Sequence, residues 1–319
     1  MKKMNALLAI LLTTVIPFTP CLLADDGAYV SQEECESCEI EETSDQCCCL
    51  KDIYSLEAFI AHIEGKGIGY RRGYSTLGFL LMPTYQEPDS LFPFIDIRGH
   101  GFDNKKLAAN LGIGFRYMHH EDWVFGSNLY YDLRQGAHMG FDQVGPKFQQ
   151  IGIGFEALGP CFDVRLNFYQ PVGKTERHFT QTVFINNAGI TPTLIPKEES
   201  AMRGFDAEIG LCIGKGYFNQ CCVGWGTYFA LGTYYLDDHG NDGRLGAKVR
   251  LAANLGRYYL AEVRAHYDRI ERGSVQIFVG VDFPLYPFTS LDFKNSCNEK
   301  CLGPWSEHVH RAEIIPLRH

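Results

Sequence analysis

The ten residues from Tyr259 to Asp268 read YLAEVRAHYD, and apart from Leu260 they alternate between apolar and polar side chains. Two tyrosines, two alanines and a valine occupy the odd positions, whereas Glu262, Arg264 and His266 fall between them. A period of two is the pattern of a β-strand whose two faces meet different surroundings. Aromatic residues at both ends of the apolar face are typical of a strand that crosses a membrane between its two interfaces.

The same alternation recurs along most of the chain, with charges on one face and apolar residues on the other. It predicts about twelve strands, an even number as expected of a bacterial single-chain barrel. The predicted strands are approximately 67–73, 76–83, 91–99, 107–118, 122–133, 146–158, 161–172, 201–213, 222–236, 242–255, 257–269 and 273–283. The longest insertion, 173–200, contains Pro192 and Pro196 and is predicted to be an exposed loop.

Composition agrees with an all-β transmembrane antiparallel barrel. The chain has 33 Gly, 17 Tyr and 22 Phe, and its mean hydropathy is -0.14. Strands that are apolar on one face and polar on the other average to such a value. The net charge of -9 excludes a nucleic-acid partner, because a phosphate backbone requires a basic surface. A soluble β-sandwich shows the same alternation and stays open as an alternative.

The first 24 residues have the three regions of a secretory signal peptide in order. Lys2 and Lys3 precede an apolar run from Ala6 to Ile16, and cleavage is expected after Ala24. The chain then divides into an acidic, Cys-rich periplasmic segment (25–56), the barrel (57–284) and a short C-terminal tail (285–319). The predicted destination is therefore the bacterial cell outer membrane.

The cysteines of the exported chain form three groups: five near its start, four within the predicted barrel (Cys161, Cys212, Cys221 and Cys222) and two near its end. Eleven remain after cleavage, and in an oxidising compartment they predict disulfides, with one thiol left over by the odd count. A zinc site fits less well, since one Cys-x-x-Cys followed by three adjacent cysteines is not the usual knuckle spacing. We hypothesise covalent cross-links to other Cys-rich envelope proteins. The disulfide candidates are Cys35, Cys38, Cys47, Cys48, Cys49, Cys297 and Cys301.

Three stretches carry a family resemblance. The first comprises residues 112–117, GIGFRY, and residues 122–132, DWVFGSNLYYD. The second comprises residues 152–156, GIGFE, and residues 165–171, RLNFYQP, and the third is GFDAE at 204–208. These elements resemble the inverse autotransporter β-domain of intimin and invasin, over roughly residues 60–284. The resemblance implies an outer-membrane barrel that contacts membrane lipid, is inserted by the barrel-assembly machinery and exports a C-terminal adhesin. Only 36 residues follow Phe283, too few for an immunoglobulin-like domain of about 100 residues, so we expect no folded adhesin.

The matched residues supply the candidate functional positions. We hypothesise that the polar ones form a network inside the lumen that narrows or plugs the pore; alternatively, each is solvated independently. The candidates are Arg116, Trp123, Gly126, Asn128, Tyr130, Asp132, Gly154, Glu156, Arg165, Asn167, Tyr169, Pro171, Asp206 and Glu208.

Several patterns that can indicate catalysis or cofactor binding are better explained by a barrel. Gly-x-Gly repeats such as Gly112-x-Gly114 run on into strand sequence, whereas a nucleotide loop needs a following helix. The His119-His120 pair lacks a third metal ligand, and no catalytic triad can be identified. We therefore expect no enzymatic activity, cofactor or metal. The expected role is structural, surface-exposed or translocator-like, and a small-solute channel is the alternative.

Overall fold

The computed structural model describes residues 54–83, 89–119, 123–136, 146–159, 162–186, 190–213, 225–237, 243–255, 258–286 and 308–318. All of them belong to one compact unit, Leu50–His319. Within these ranges, no helix is both long and apolar enough to cross a membrane.

Twelve antiparallel strands close into a barrel, which confirms the predicted fold class. The barrel strands are β1 Tyr54–Gly65, β2 Tyr74–Pro83, β3 Leu91–Phe102, β4 Leu107–His119, β5 Trp123–Gln135, β6 Lys147–Leu158, β7 Phe162–Val172, β10 Arg203–Cys212, β11 Trp225–Asp237, β12 Arg244–Leu255, β13 Tyr259–Asp268 and β14 Arg272–Tyr286. The order around the barrel is β1-β14-β13-β12-β11-β10-β7-β6-β5-β4-β3-β2, and β2 pairs with β1 again to close it.

Three further strands lie outside the barrel wall. β8 (Glu176–Asn186) and β9 (Ile190–Ala201) form a hairpin between β7 and β10, and β15 (Leu317–Arg318) pairs with the end of β9. We call the end of the barrel from which this hairpin leaves the hairpin mouth. The other end, where β1 begins and β14 ends, is the terminal mouth.

The first barrel strand is not where the sequence pattern places it. The pattern predicts a strand at residues 67–73, but these residues form the β1–β2 connection, in which Gly69 has a φ of 75°. The alternation does not reveal the true first strand, β1, because its luminal face is apolar near Phe59, Ala61 and Ile63. Apolar residues on both faces conceal the period of two.

The insertion 173–200 is also more regular than predicted, since it contains the β8–β9 hairpin rather than an irregular loop. Pro192 and Pro196 argue against a strand, yet both lie in β9, opposite Phe184 and Thr180 of β8. Except at Ser200 and Ala201, the other edge of β9 has no described strand partner. Prolines are tolerated at such an edge because no ladder hydrogen bond is lost there.

The two faces of the wall are inverted relative to a water-soluble protein. Leu111, Ile113 and Phe115 of β4 point outward and are 47–55% exposed, while Asn110 and Arg116 of the same strand are buried in the lumen. This pattern repeats around the barrel and creates a continuous apolar exterior of the kind that contacts lipid. The soluble β-sandwich alternative is therefore wrong.

Candidate functional site in the barrel lumen

The predicted signature residues share one environment, with a single exception. Trp123 faces outward, where its ring lies edge-on to Phe162 with the centroids 5.0 Å apart. The others are buried on the luminal face of β4, β5, β6, β7 and β10: Arg116, Gly126, Asn128, Tyr130, Asp132, Gly154, Glu156, Arg165, Asn167, Tyr169, Pro171, Asp206 and Glu208.

Gly126 makes room for an ion pair that spans three strands. It is the cross-strand neighbour of both Arg116 and Glu156. The Arg116 Nε donates to Glu156 Oε1 over a distance of 2.6 Å, directly above the glycine. A Cβ on Gly126 would lie 2.6 Å from Glu156 Cγ, so any other residue would displace the carboxylate.

Other luminal glycines follow the same rule. Gly154 lies between Asn128 and Asn167, whose amide groups lean over it from both sides. Gly112 lies between Asp96 and Tyr130, and the Tyr130 hydroxyl donates to Asp96 over the glycine at 2.7 Å. Each of these glycines lies on the middle strand of three. The missing side chain lets residues of the two outer strands contact each other across it.

Residues 308–318, which we call the luminal segment, run through the barrel from one mouth to the other. Near the terminal mouth, His308 lies 3.5 Å from Asp282 and packs against the Phe59 ring. At the hairpin mouth, Leu317 pairs with Ala201 of β9. The segment therefore spans the lumen between the two mouths.

Arg311 is the central contact of the luminal segment. Its guanidinium forms two parallel hydrogen bonds with the Asp132 carboxylate, one of them 2.7 Å long, and the side chain is only 2% exposed. The same guanidinium lies 4.3 Å from the Tyr130 ring centroid and 5.5 Å from that of Tyr169. Gly152, between these tyrosines in the sheet, leaves the space that Arg311 occupies.

Glu313 forms the second charged contact. Its Oε1 accepts a 2.7 Å hydrogen bond from Arg98 Nη1, and its Oε2 accepts one of 3.2 Å from the Tyr74 hydroxyl. Arg98 is itself held by Asp96 of its own strand. Such bidentate and charge-assisted bonds fix orientation as well as contributing energy.

The backbone of the luminal segment is also bound by the wall. Four side chains of the wall donate hydrogen bonds to carbonyl groups of the segment: Arg98 to residue 309, Asn167 to 310, Asn110 to 313 and Arg134 to 315. In addition, the Ala312 amide donates to the Tyr169 hydroxyl, and the Met202 amide donates to the Pro316 carbonyl. These bonds satisfy polar groups that burial would otherwise leave unpaired.

Apolar side chains anchor the luminal segment at three levels. Val309 packs with Leu80, Met82, Phe94 and Tyr130; Ile314 packs in a cluster that includes Phe59 and Phe102; Ile315 and Leu317 pack with Phe148 and Ala201. Most of these partners lie on β1 to β6, so the luminal segment packs against one side of the barrel.

The opposite side carries its own ion-pair chain. Lys248 lies 2.7 Å from Asp206, Arg250 lies 2.6 Å from Glu208, and Arg264 lies 2.6 Å from Glu262. Asp206 and Glu208 are predicted site residues, whereas the sequence identifies the cations on β12 and β13 only as polar-face residues.

The contacts of the luminal segment are not predicted by the sequence, in which residues 285–319 are recognised only as a tail. Arg311 and Asp132 are 179 residues apart in sequence, and no local pattern connects them. The one available signal is the run from Arg311 to Leu317, where a single arginine and a single glutamate interrupt apolar residues.

Metal-binding geometry among the described residues is limited to the exposed hairpin group Glu176, His178 and Glu198, whose candidate ligand atoms lie within 4.8 Å of one another. The two ring nitrogens of His178 face different glutamates. All three side chains are exposed, and exposed acidic groups of this kind are common without a metal ion, so the group by itself does not indicate a metal site.

The predicted disulfide candidates, Cys35, Cys38, Cys47, Cys48, Cys49, Cys297 and Cys301, lie outside the described residues. Cys212 is described, and it packs beside Tyr228, Ala230 and Ala252.

Comparisons with known proteins agree with this architecture. Residues 70–213 match the family described as inverse autotransporter, beta-domain. No curated protein matches the chain. A chain solved in work on the in-meso crystallization of membrane proteins has a TM-score of 0.55 at 16% identity, over 82% of this chain and 98% of that one.

Two further solved structures are more distant. An outer-membrane channel from Pseudomonas putida F1 has a TM-score of 0.42 at 11% identity, over 76% of this chain and 100% of that one. The β-domain of the Bordetella autotransporter Brka has a TM-score of 0.35 at 12% identity, over 72% of this chain and 99% of that one. The fold and the family match together describe an outer-membrane β-barrel protein in which residues 70–213 match the inverse autotransporter β-domain.

Proposed function

We propose that this protein is a structural, surface-exposed barrel whose lumen is closed by its own residues 308–318, and not an open channel. The observation that carries the proposal is the buried bidentate pair between Arg311 and Asp132, with Glu313 bound to Arg98 beside it. A barrel of this size is wider than the eight-stranded barrels that side chains alone can fill. The luminal segment fills part of the space that the side chains of the wall leave.

The energetics favour a stably seated segment. Removing one member of a buried ion pair leaves an uncompensated charge, which costs about 3–5 kcal/mol. Withdrawal of the luminal segment leaves the Asp132 carboxylate without its cation, whereas Arg98 keeps its pair with Asp96. Water that enters the lumen offsets part of the cost at Asp132. Withdrawal also exposes Ile314, Ile315 and Leu317 to water. Full burial of each such side chain stabilises the folded state by roughly 1.5–3 kcal/mol.

Conductance across a planar lipid bilayer tests the closure. The full chain is expected to give no large, steady conductance steps. A variant that ends after residue 307 is expected to give them, provided that its band on a gel still shifts on boiling, as a closed barrel does. Large open steps from the full chain would favour the small-solute channel instead.

We further propose that the Cys-rich segment 25–56 cross-links the protein to Cys-rich neighbours in the envelope. The proposal is supported by the grouping of five cysteines among acidic residues ahead of the barrel. Reductant-sensitive multimers in an envelope fraction are the expected result, and they should disappear when Cys35, Cys38, Cys47, Cys48 and Cys49 are changed to serine. Identical migration with and without reductant contradicts it.

A further inference from the structure

A cavity of about 140 Å³ remains beside the luminal segment, on the side of the barrel that the segment does not contact closely. It reaches from Arg165 and His310 in mid-lumen to Ile68 and Pro316 near the hairpin mouth. Two-thirds of its lining residues carry a charged or hydrogen-bonding group, although most of the lining surface is apolar carbon. A space of this size that offers polar partners can hold water. Small solutes can therefore occupy it.

The lining presents more positive than negative groups. Five arginine or lysine side chains line the cavity, against three carboxylates. Each of these carboxylates is already bound by a cation: Asp206 by Lys248, Glu208 by Arg250, and Glu313 by Arg98. Three further carboxylates lie behind the cations and do not line the cavity: Asp163 pairs with Arg165, Asp132 with Arg311, and the fully buried Glu262 with Arg264.

Arg264 is held in one orientation with its terminal nitrogens unused. Its Nε donates to Glu262 at 2.6 Å, and its guanidinium lies 4.8 Å from the Phe278 ring centroid. Among the described residues, this bond to Glu262 is the only hydrogen bond that the Arg264 side chain donates. The side chain is 23% exposed although it points into the lumen, so its free end faces the cavity.

We infer that this cavity is a binding site for a small carboxylate, with the two terminal nitrogens of Arg264 as the principal ligands. A planar guanidinium fork matches a carboxylate through two parallel hydrogen bonds, and Arg264 is already oriented for them. Lys248 lines the same cavity but already pairs with Asp206 and Glu208, so Arg264 is the group that remains available. The inference rests on the proposed closure, because the luminal segment forms one wall of the site.

The probe for this site is trifluoroacetate, followed by fluorine NMR on the full chain in detergent micelles. Saturable broadening or shift of the fluorine signal is expected. Arg264→Lys keeps the charge beside Glu262 but removes the fork, and it should weaken binding about tenfold, the value of one charge-assisted hydrogen bond. Arg203→Lys is the matched control, since Arg203 lies on the outer face and pairs with Asp237.

A second variant keeps the test decisive if Arg264→Lys does not fold. Gln276 is the direct cross-strand neighbour of Arg264, so Gln276→Glu supplies an internal carboxylate that should occupy the fork and abolish binding. A fluorine signal that does not saturate, or binding that survives in Gln276→Glu, overturns the inference. Closure of the lumen is read separately from conductance, so failure of the site and failure of the closure are distinguishable.

Discussion

At the scale of single residues, Gly112 illustrates how the lumen is built. It faces inward between Asp96 and Tyr130, and the Tyr130 ring covers it on the way to the Asp96 carboxylate. A methyl group at Gly112 meets that ring, which is buried and held by its hydroxyl. A nucleotide-binding interpretation of the Gly-x-Gly repeats is unnecessary, because the glycines admit neighbouring side chains.

Gly112→Ala is therefore expected to destabilise the barrel by about 1–3 kcal/mol, the usual cost of overpacking. Gly101→Ala is its control: a Cβ at Gly101 meets nothing within 4 Å, and alanine in a strand is more stable than glycine by about 0.5 kcal/mol. Urea unfolding followed by tryptophan fluorescence measures both. Equal effects of the two substitutions would show that the Tyr130 contact has no energetic role.

Arg311 provides the second prediction at this scale. Arg311→Ala leaves the Asp132 carboxylate buried without its cation, so the free energy of unfolding should fall by about 3–5 kcal/mol. Arg203→Ala removes an exposed pair with Asp237 and should cost less than about 1 kcal/mol. The urea midpoints of the two variants compare them directly. A similar small loss for both would mean that water replaces Arg311 at no cost.

At the scale of strands, sequence alternation predicts most of the barrel and fails where the two faces are alike. β13 can be recognised because Glu262 and Arg264 alternate with Ala261 and Val263. β1 cannot, since Phe59, Ala61 and Ile63 fill the lumen while Ile60 faces outward. The β8–β9 hairpin is not predicted for another reason. Local propensity indicates that a proline interrupts a strand, but the prolines of this hairpin lie on an edge strand, where they are tolerated.

The hairpin is expected to be dispensable for barrel closure. β7 pairs directly with β10, from Tyr169 opposite Gly204 to Phe162 opposite Leu211, so the wall is continuous without β8 and β9. Arg177 and Glu199 are cross-strand neighbours, and a two-residue Asn-Gly turn can join them in place of residues 178–198. The shortened protein should still shift its gel mobility on boiling. Loss of that shift would show that the hairpin is required to fold the barrel.

At the scale of the whole molecule, burial joins parts of the chain that are far apart in sequence. The alternating pattern predicts which residues of the wall face the lumen, but it cannot predict what fills the lumen. That depends on pairs such as Glu313 with Arg98, which are 215 residues apart. Long-range pairs of this kind leave no period in the sequence, so they emerge only from the folded barrel.

The contacts that hold the luminal segment do not depend on its covalent connection to the barrel. The segment should therefore stay in place when that connection is cut. A protease site inserted within residues 287–307 of the full chain allows cleavage after folding. After cleavage, the fragment that carries Arg311 and Glu313 should co-purify with the barrel in detergent and separate only on boiling. The same cleavable protein with Arg311→Ala and Glu313→Ala tests the cause, since both charged contacts are then absent and the fragment should be released without heat. Retention of the doubly substituted fragment would assign the binding to the apolar residues Val309, Ile314, Ile315 and Leu317 instead. Release of the unsubstituted fragment would mean that the covalent connection, and not the contacts with the wall, holds the segment in the lumen.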